Sequence, residues 1–540
     1  DIGPVVDRPS GQELQIHVEY PLAVPEQAGV HGVGGHPYGR GRDVPEVEPL
    51  EDRIHRALSD TFKHRAIETA QDVITGKRDA LVAEVDNWED FRTHAAAIRD
   101  HVLENLDYYV RQFATNAQKN GAQVHFAPTD NDALDCILDI FEAEGAKTCV
   151  KSKSMMTEEI GLNTFLEAHG IKPVETDCAE HIIQTAGNAP SHIVVPALHF
   201  DRTSIRNLYH EQKGYEGTND PEEITRFLRK TLRPEFMNAP IGVTGCNFGV
   251  AETGSCTLVS NEGNARMASS IPETQIVVMG TERIVPDLRS LDVMMKLLVR
   301  SAVGAKISGS FSINTGCRRE GEADGPKNVH IVIVNNGRTD ILAHEFRPML
   351  RCIRCGACMN SCPVYRHITG HGYGSIYPGP MGVVLTPLLV GYEKTAKLPY
   401  ACSLCGQCAE VCPVKVPLPN LISQHRRNVV SQGYVSPVEK AIFTAAAATF
   451  SNRVTYGALT TAAAPAMKLM TGKTNQLDRG STWIPVLNGW LASRNLDTMS
   501  SKKFRSWFAE HKKQVEEQNR AETAQALTDA CRNNANREEN

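Results

Sequence analysis

Eight cysteines in this 540-residue chain share one repeated spacing: Cys352, Cys355, Cys358 and Cys362-Pro363, then Cys402, Cys405, Cys408 and Cys412-Pro413. Steps of two intervening residues let a chain wrap one small body and present three thiolates to three of its corners. A fourth Cys, after a longer step and fixed by Pro, points away towards a second body. This is the C-x2-C-x2-C-x3-C-P run that ligates [4Fe–4S] cubanes, with the fourth Cys serving the other cluster. The expected sets are Cys352, Cys355, Cys358 and Cys412 on one cluster, and Cys402, Cys405, Cys408 and Cys362 on the second. Structural zinc is the alternative, but zinc sites pair two distant two-ligand halves, which leaves three cysteines at steps of three unexplained. Clusters with a purely structural role are a further alternative. Crossed ligation keeps two redox centres close, and that is what an electron relay requires.

Other groups suggest binding more than catalysis. Lys151 and Lys153, with Ser152 and Ser154, follow the strand-like "AKTCV". Open α/β sheets bind ligands beyond the carboxyl ends of their strands, so this pair is a candidate grip for a carboxylate or phosphate. A solvated loop with ordinary surface lysines is the bland alternative. His367 and His371 lie between the cysteine runs, but eight thiolates already satisfy eight iron corners. They read as hydrogen-bonding neighbours, and Tyr373 and Tyr377 as shields against water. Cubanes pass single electrons, and no G-x-G-x-x-G stands between a strand and a helix to supply a nicotinamide or flavin site. "GVGGHPYG" at Gly32 has the glycines in the wrong context.

These groups need elements to hold them. The length implies two or three domains. A net charge of −6 gives no reason to expect nucleic acid. There is no signal peptide and no apolar run of the roughly 20 residues that a spanning helix needs, which places the chain in the cytoplasm. "SKKFRSWFAEHKK" at Ser501 leaves room for contact with a partner or the inner face of a membrane. Clustered cysteines in a chain of this size indicate metal rather than disulfides. Cys136, Cys149, Cys178, Cys246, Cys256, Cys317 and Cys531 read as inert buried thiols.

Residues 1–48 form a Gly/Pro/His-rich extended arm. Residues 49–345 open with helices to about Asn120. They then alternate strands ("VHFAP", "AKTCVK", "IKPVET", "HIVVPA", "IGVTG", "TQIVVMG", "NVHIVIVNNG") with helices, the rhythm of crossover units on a mostly parallel sheet. Residues 346–435 carry the cysteines among short helices and loops. Residues 436–540 read as an extension with one Ala-rich helix at about 437–470 and a frayed polar tail.

The wording around the cysteines is more specific than their spacing. "RCIRCGACMNSCPVYRHITGHGYGSIYPGPMGVVLTPLL" and "LPYACSLCGQCAEVCPVKVPLPNLI" closely resemble the lactate utilization protein B family. So do "KSKSMMTEEIGLNTFLEAHGIKPVETDCAEHIIQ", "PSHIVVPALH", "VAETGSCTLVSNEGNARM" and "GEADGPKNVHIVIVNNGRTDILA" upstream. In that family a serine often stands at the position of Cys402, whereas both motifs are complete here. The resemblance implies a lactate-utilization α/β domain similar to the ribose-phosphate isomerase and CoA-transferase group, followed by a helical ferredoxin domain with two [4Fe–4S] clusters. It also implies electron transfer during oxidation of L-lactate to pyruvate, not linked to NAD, by a subunit rather than a complete enzyme. The implied partners are a cysteine-rich sister protein, a smaller lactate-utilization-domain sister, and a further electron acceptor. By fold analogy Glu252, in "GVAETGSCTL", matches a CoA-transferase nucleophile, although a tight turn explains it as well. Two rival readings follow: a CoA- or acyl-transferring enzyme using Glu252, or a ferredoxin-like hub for another 2-hydroxy acid.

Overall fold

The computed structural model describes residues 48–471, 476–478, 488, 491, 492, 494–499 and 504–538. The expected N-terminal arm, save its last residue, lies outside them. Four helices come first: α1 (Leu50–Ser59), α2 (Thr61–Ala83), α3 (Trp88–Glu104) and α4 (Leu106–Lys119). Strand β1 (Gln123–Ala127) leads into α5 (Asp130–Ala143), whose start is fixed by a reciprocal capping box between Thr129 and Asp132. The remaining strands are β2 (Thr148–Lys151), β3 (Lys172–Glu175), β4 (Ile241–Gly245), β5 (Phe248–Val250), β6 (Ser255–Ser260), β7 (Thr274–Gly280), β8 (Ile284–Val285), β9 (Ser310–Asn314) and β10 (Asn328–Val334).

Six strands make a wholly parallel sheet in the order β1-β10-β7-β4-β2-β3. Its central strands are apolar on both faces because both are covered. Ile276 and Val278 pack with Leu134, Ile137 and Phe141 of α5 on one side. Val277 and Met279 pack with Val110, Phe113 and Ala117 of α4 on the other.

Two sequence expectations change. "HIVVPA" is a run of bends and turns, because His192 Nδ1 accepts hydrogen bonds from the Val194 and Val195 N–H groups and closes the backbone on itself. A second sheet, β8-β5-β6-β9, was not foreseen: its strands are short, mixed in direction and partly polar.

The packing does not stop at residue 345. Ile67 and Leu103 of the N-terminal helices share one apolar cluster with Leu291 and Met294 of the helix Leu288–Val303 and with Met349, Ile353, Met359 and Met381 around the cysteine motifs. Residues to Tyr434 therefore form one compact unit, and Val435–Asn540 form a second. In that second unit the expected single Ala-rich helix is two, Pro437–Ser451 and Arg453–Thr471, separated by an extended Asn452 whose side chain accepts from Val454 N–H. Residues 526–538 of the closing stretch, expected to fray, continue the helix Phe504–Glu538. Among the described residues, no helix is long and apolar enough to cross a membrane.

Candidate metal centre

The two cysteine motifs repeat in backbone as well as in sequence. Arg354 and Leu404, each two residues after the first Cys, hold φ at 61° and 55°, and Gly356 and Gly406 follow at 79° and 87°. The left-handed turn aims the Arg354 N–H at Cys352 Sγ (3.5 Å) and the Leu404 N–H at Cys402 Sγ (3.3 Å). After each Cys-Pro, Tyr365 N–H points at Cys362 Sγ (3.4 Å) and Val416 N–H at Cys412 Sγ (3.3 Å). Bulky residues in the left-handed region persist only where the surroundings demand it. Here the demand is to turn amide dipoles onto sulfur, the contact that stabilises added electrons on a cluster.

Gly356 and Gly406 separate conformation from space. A Cβ on Gly356 would stand 3.0 Å from His192 Cε1, whereas one on Gly406 meets nothing within 4 Å. Gly406→Ala is expected to cost roughly 1–2 kcal/mol for its left-handed backbone alone. Gly356→Ala should cost more and loosen iron. Denaturation midpoints and iron content check both, and equal losses would remove the clash argument.

The thiols fall into two electrostatic neighbourhoods. Cys352 and Cys412 act on Cys355 and Cys358, while Cys402 acts on Cys362 and Cys408. Cys358 and Cys408 link the two sets. Burial first, and then the neighbouring thiols, push Cys355 and Cys358 well up and Cys408 to about 12; burial carries Cys412 to about 11. These four thiols would keep their protons near neutrality, so loading a metal must expel protons. Among the described residues, no three His, Cys, Asp or Glu side chains converge on a single ion.

Helices α2 and α3 hold this cradle from outside. Gln71 donates to Met359 O (2.8 Å) and Cys362 O (3.3 Å), and Arg92 to Cys412 O and Ala409 O (both 2.9 Å). Arg78 reaches Val411 O at 3.3 Å. Arg283 donates to Cys352 O (3.0 Å) and Arg426 to Cys402 O (2.7 Å). These guanidiniums fix the loops and place positive charge beside the thiols, and Arg78 and Arg92 pull Cys355 and Cys412 back down. No sequence signal marked them, since arginines on amphipathic helices ordinarily face water.

A cavity of about 390 Å³ lies between the strand ends and this cradle. Ser152, Gly245 and Gly280, at or just beyond the carboxyl ends of β2, β4 and β7, form one wall, and Arg354 and Tyr377 from the cysteine segment form another. A buried ion network joins the walls. Arg338 grips Glu159 through two nitrogens (2.9 and 2.8 Å) and Glu282 through Nε (2.7 Å), Tyr377 donates to Glu159 (2.6 Å), and Arg354 lies 3.5 Å from Glu282. Burial would raise the Glu282 carboxyl, yet Arg338, Arg354 and Arg283 hold it at about 2.

The other candidates separate. Lys151 is buried and neutralised by Glu175 (2.6 Å) and Glu158 (3.1 Å), so it is not available to a ligand. Lys153 lines the cavity. Glu252 sits exposed in the turn between β5 and β6, outside the cavity. His367 pairs with His64 (2.9 Å) and His371 with Ala189 O (2.9 Å), as neighbours would. The buried Tyr373 hydroxyl acts on the Cys362 thiol.

Over residues 110–334 the chain matches the LUD domain, and over 348–416 the 4Fe-4S dicluster domain. It is 48% identical over 467 residues to a protein of Escherichia coli (strain K12) described as the uncharacterized electron transport protein YkgF, covering 86% of this chain and 97% of that one. Lactate utilization protein B of Bacillus cereus (strain AH820) is 47% identical over 465 residues, with the same coverages of 86% and 97%. A solved DUF162 family protein from Deinococcus radiodurans aligns over 43% of this chain and 98% of its own, at 14% identity and a TM-score of 0.25.

Proposed function

The chain belongs to the lactate utilization protein B family, and from that premise we propose that it relays electrons within a cytoplasmic complex oxidising L-lactate to pyruvate. Its partners in this reading are a cysteine-rich sister, a smaller lactate-utilization-domain sister and a further acceptor. Cys352, Cys355, Cys358 and Cys412 would hold one [4Fe–4S] cluster, and Cys402, Cys405, Cys408 and Cys362 the other. When bound, each cluster supplies a one-electron redox site.

The observation that carries the reading is the doubled cradle with its crossed thiol neighbourhoods. Around it the chain excludes water by burying Cys355, Cys358, Cys362, Cys408 and Cys412. Amide N–H groups point at four sulfurs, and Arg78 and Arg92 add positive charge, all of which favour the reduced state. Exposed Cys405 marks the side on which an electron partner would approach the second cluster.

Anaerobic iron and sulfide analysis with EPR tests the proposal. About eight of each per chain are expected, with two interacting reducible centres. L-lactate should then reduce them only when the sister proteins are added. Zinc in place of iron, or centres that dithionite cannot reduce, would end the relay reading.

A further inference from the structure

We propose that the cavity beside the Cys352–Cys358 loop binds a small monocarboxylate of the 2-hydroxy or 2-oxo acid class, with Lys153 and Ser152 as its recognition groups. The inference deepens the relay reading and rests on it for the choice of acid; the anion site itself rests on the charges inside the cavity.

Seven charged side chains line that space, and most are already engaged. Arg338 is taken by Glu159 and Glu282, and Arg354 shares Glu282. Asp177 caps the helix Cys178–Ala186, accepting from Ala179 N–H (3.0 Å) and Glu180 N–H (3.3 Å). Glu262 accepts from Cys178 N–H at 2.9 Å. Lys153 is different. Its ammonium donates to Val194 O at 2.7 Å, and among the described residues it forms no ion pair. Arg283 likewise spends its guanidinium on the carbonyls of Cys352 and Ile353 and forms no ion pair among them. Glu180 and Asp177 act on Lys153, and Glu282 acts on Arg283, but none of them closes an ion pair with these two cations, so an anion can still reach them in the half-enclosed space.

The second observation is Ser152, a residue of the cavity wall whose side-chain oxygen is buried and has no hydrogen-bond partner. Buried hydroxyls are rarely left alone, and each such group asks for a partner. Ser152 immediately precedes Lys153, so both sit where β2 ends, the position at which open α/β sheets take ligands. The volume suits a small acid with ordered water around it. Glu262 adds the preference for an oxygen substituent beside the carboxylate. Its carboxyl, raised by burial and by Asp177, stands at the exposed edge of the cavity, where it can meet a hydroxyl. Arg354 and Tyr377 place the far end of the cavity against the cysteine loop, so a bound acid would lie next to the first motif.

Calorimetric titration of the full-length, cluster-loaded protein with L-lactate, pyruvate and inorganic phosphate tests the site, using wild type, Lys153→Met and Ser152→Ala. Saturable binding of L-lactate or pyruvate is expected, weakened at least tenfold in Lys153→Met and severalfold in Ser152→Ala. Glu252→Gln, outside the cavity, should bind as wild type does. No binding of either acid, unchanged binding in Lys153→Met, or competition by phosphate at lower concentration than lactate would each overturn the proposal. If Lys153→Met fails to fold, Ser152→Ala alone decides, since removing one hydroxyl leaves every observed ion pair in place. Iron content and EPR on the same samples keep the two readings apart. Binding lost with clusters intact sinks only the acid site, and binding retained without reducible clusters sinks only the relay.

Discussion

Replacing Cys412 with alanine will remove the same cluster as replacing Cys352, although the two residues stand in different motifs. Cys412 lies in the electrostatic neighbourhood of Cys352, Cys355 and Cys358, whereas Cys362 lies in that of Cys402 and Cys408. Iron should fall from about eight to about four per chain in each single variant, as expected for two cubanes. The surviving EPR signal should be identical in Cys352→Ala and Cys412→Ala. The complementary signal should survive in Cys362→Ala and Cys402→Ala. Lactate-dependent electron flow should drop by at least roughly a hundredfold in all four, since a lost ligand outweighs the 10–100-fold cost of a lost supporting contact. A Cys412→Ala variant that instead matched Cys402→Ala would show that each motif closes its own cluster. The crossed sets would then be abandoned.

How much of this was legible beforehand depends on where the information sits. The cysteine spacing, Cys-Pro and the glycine after the second Cys are local, and the structure places their backbone turns at matching positions. The parallel strands were legible because β7 and β10 are apolar on both faces, which only a covered sheet allows. "HIVVPA" misled because its β-branched run satisfies strand propensity, while His192 captures the amides that a ladder would need. Strands β5, β6, β8 and β9 escaped because they are only two to six residues long. The site was half legible. Lys153 was singled out by its place after β2 and lines the cavity, while Lys151 looked equivalent until Glu175 and Glu158 took it. Arg78, Arg92 and Arg283 were invisible, because their partners are carbonyls some 69 to 333 residues away in the chain.

Replacing Arg338 with methionine should destabilise the first unit by about 3–5 kcal/mol, the usual cost of removing one partner from a buried ion group. The Arg338 side chain is 1% exposed, and Glu159 and Glu282 are 4% and 2% exposed. Methionine fills the volume but leaves two carboxylates facing each other in a dry space. Burial then acts on both carboxyls with less opposition, although Arg354 at 3.5 Å, Arg283 and Arg99 remain near Glu282. Their folded-state pKa values would climb above the unfolded value of about 4.3, so the folded variant would hold protons that the unfolded chain releases. Stability of Arg338→Met should therefore fall as pH rises from about 5 to 8. Wild type, with Glu282 held at about 2, gains nothing from that proton over the same range. Adding Glu159→Gln to the methionine background should recover part of the loss and weaken the pH dependence, because Glu159 has lost its guanidinium whereas Glu282 keeps Arg354 and Arg283. Urea denaturation at pH 5.5 and pH 8 on wild type, the single variant and the variant with added glutamine reads both effects. A single variant as stable as wild type at pH 8 would mean that water or Tyr377 compensates the carboxylates. The network would then have no part in holding Arg354 and Tyr377 against the strand ends. If the loss appears as expected, the cavity wall and the first cysteine loop are fixed by one set of charges, and any acid bound there meets a cluster loop that cannot drift from it.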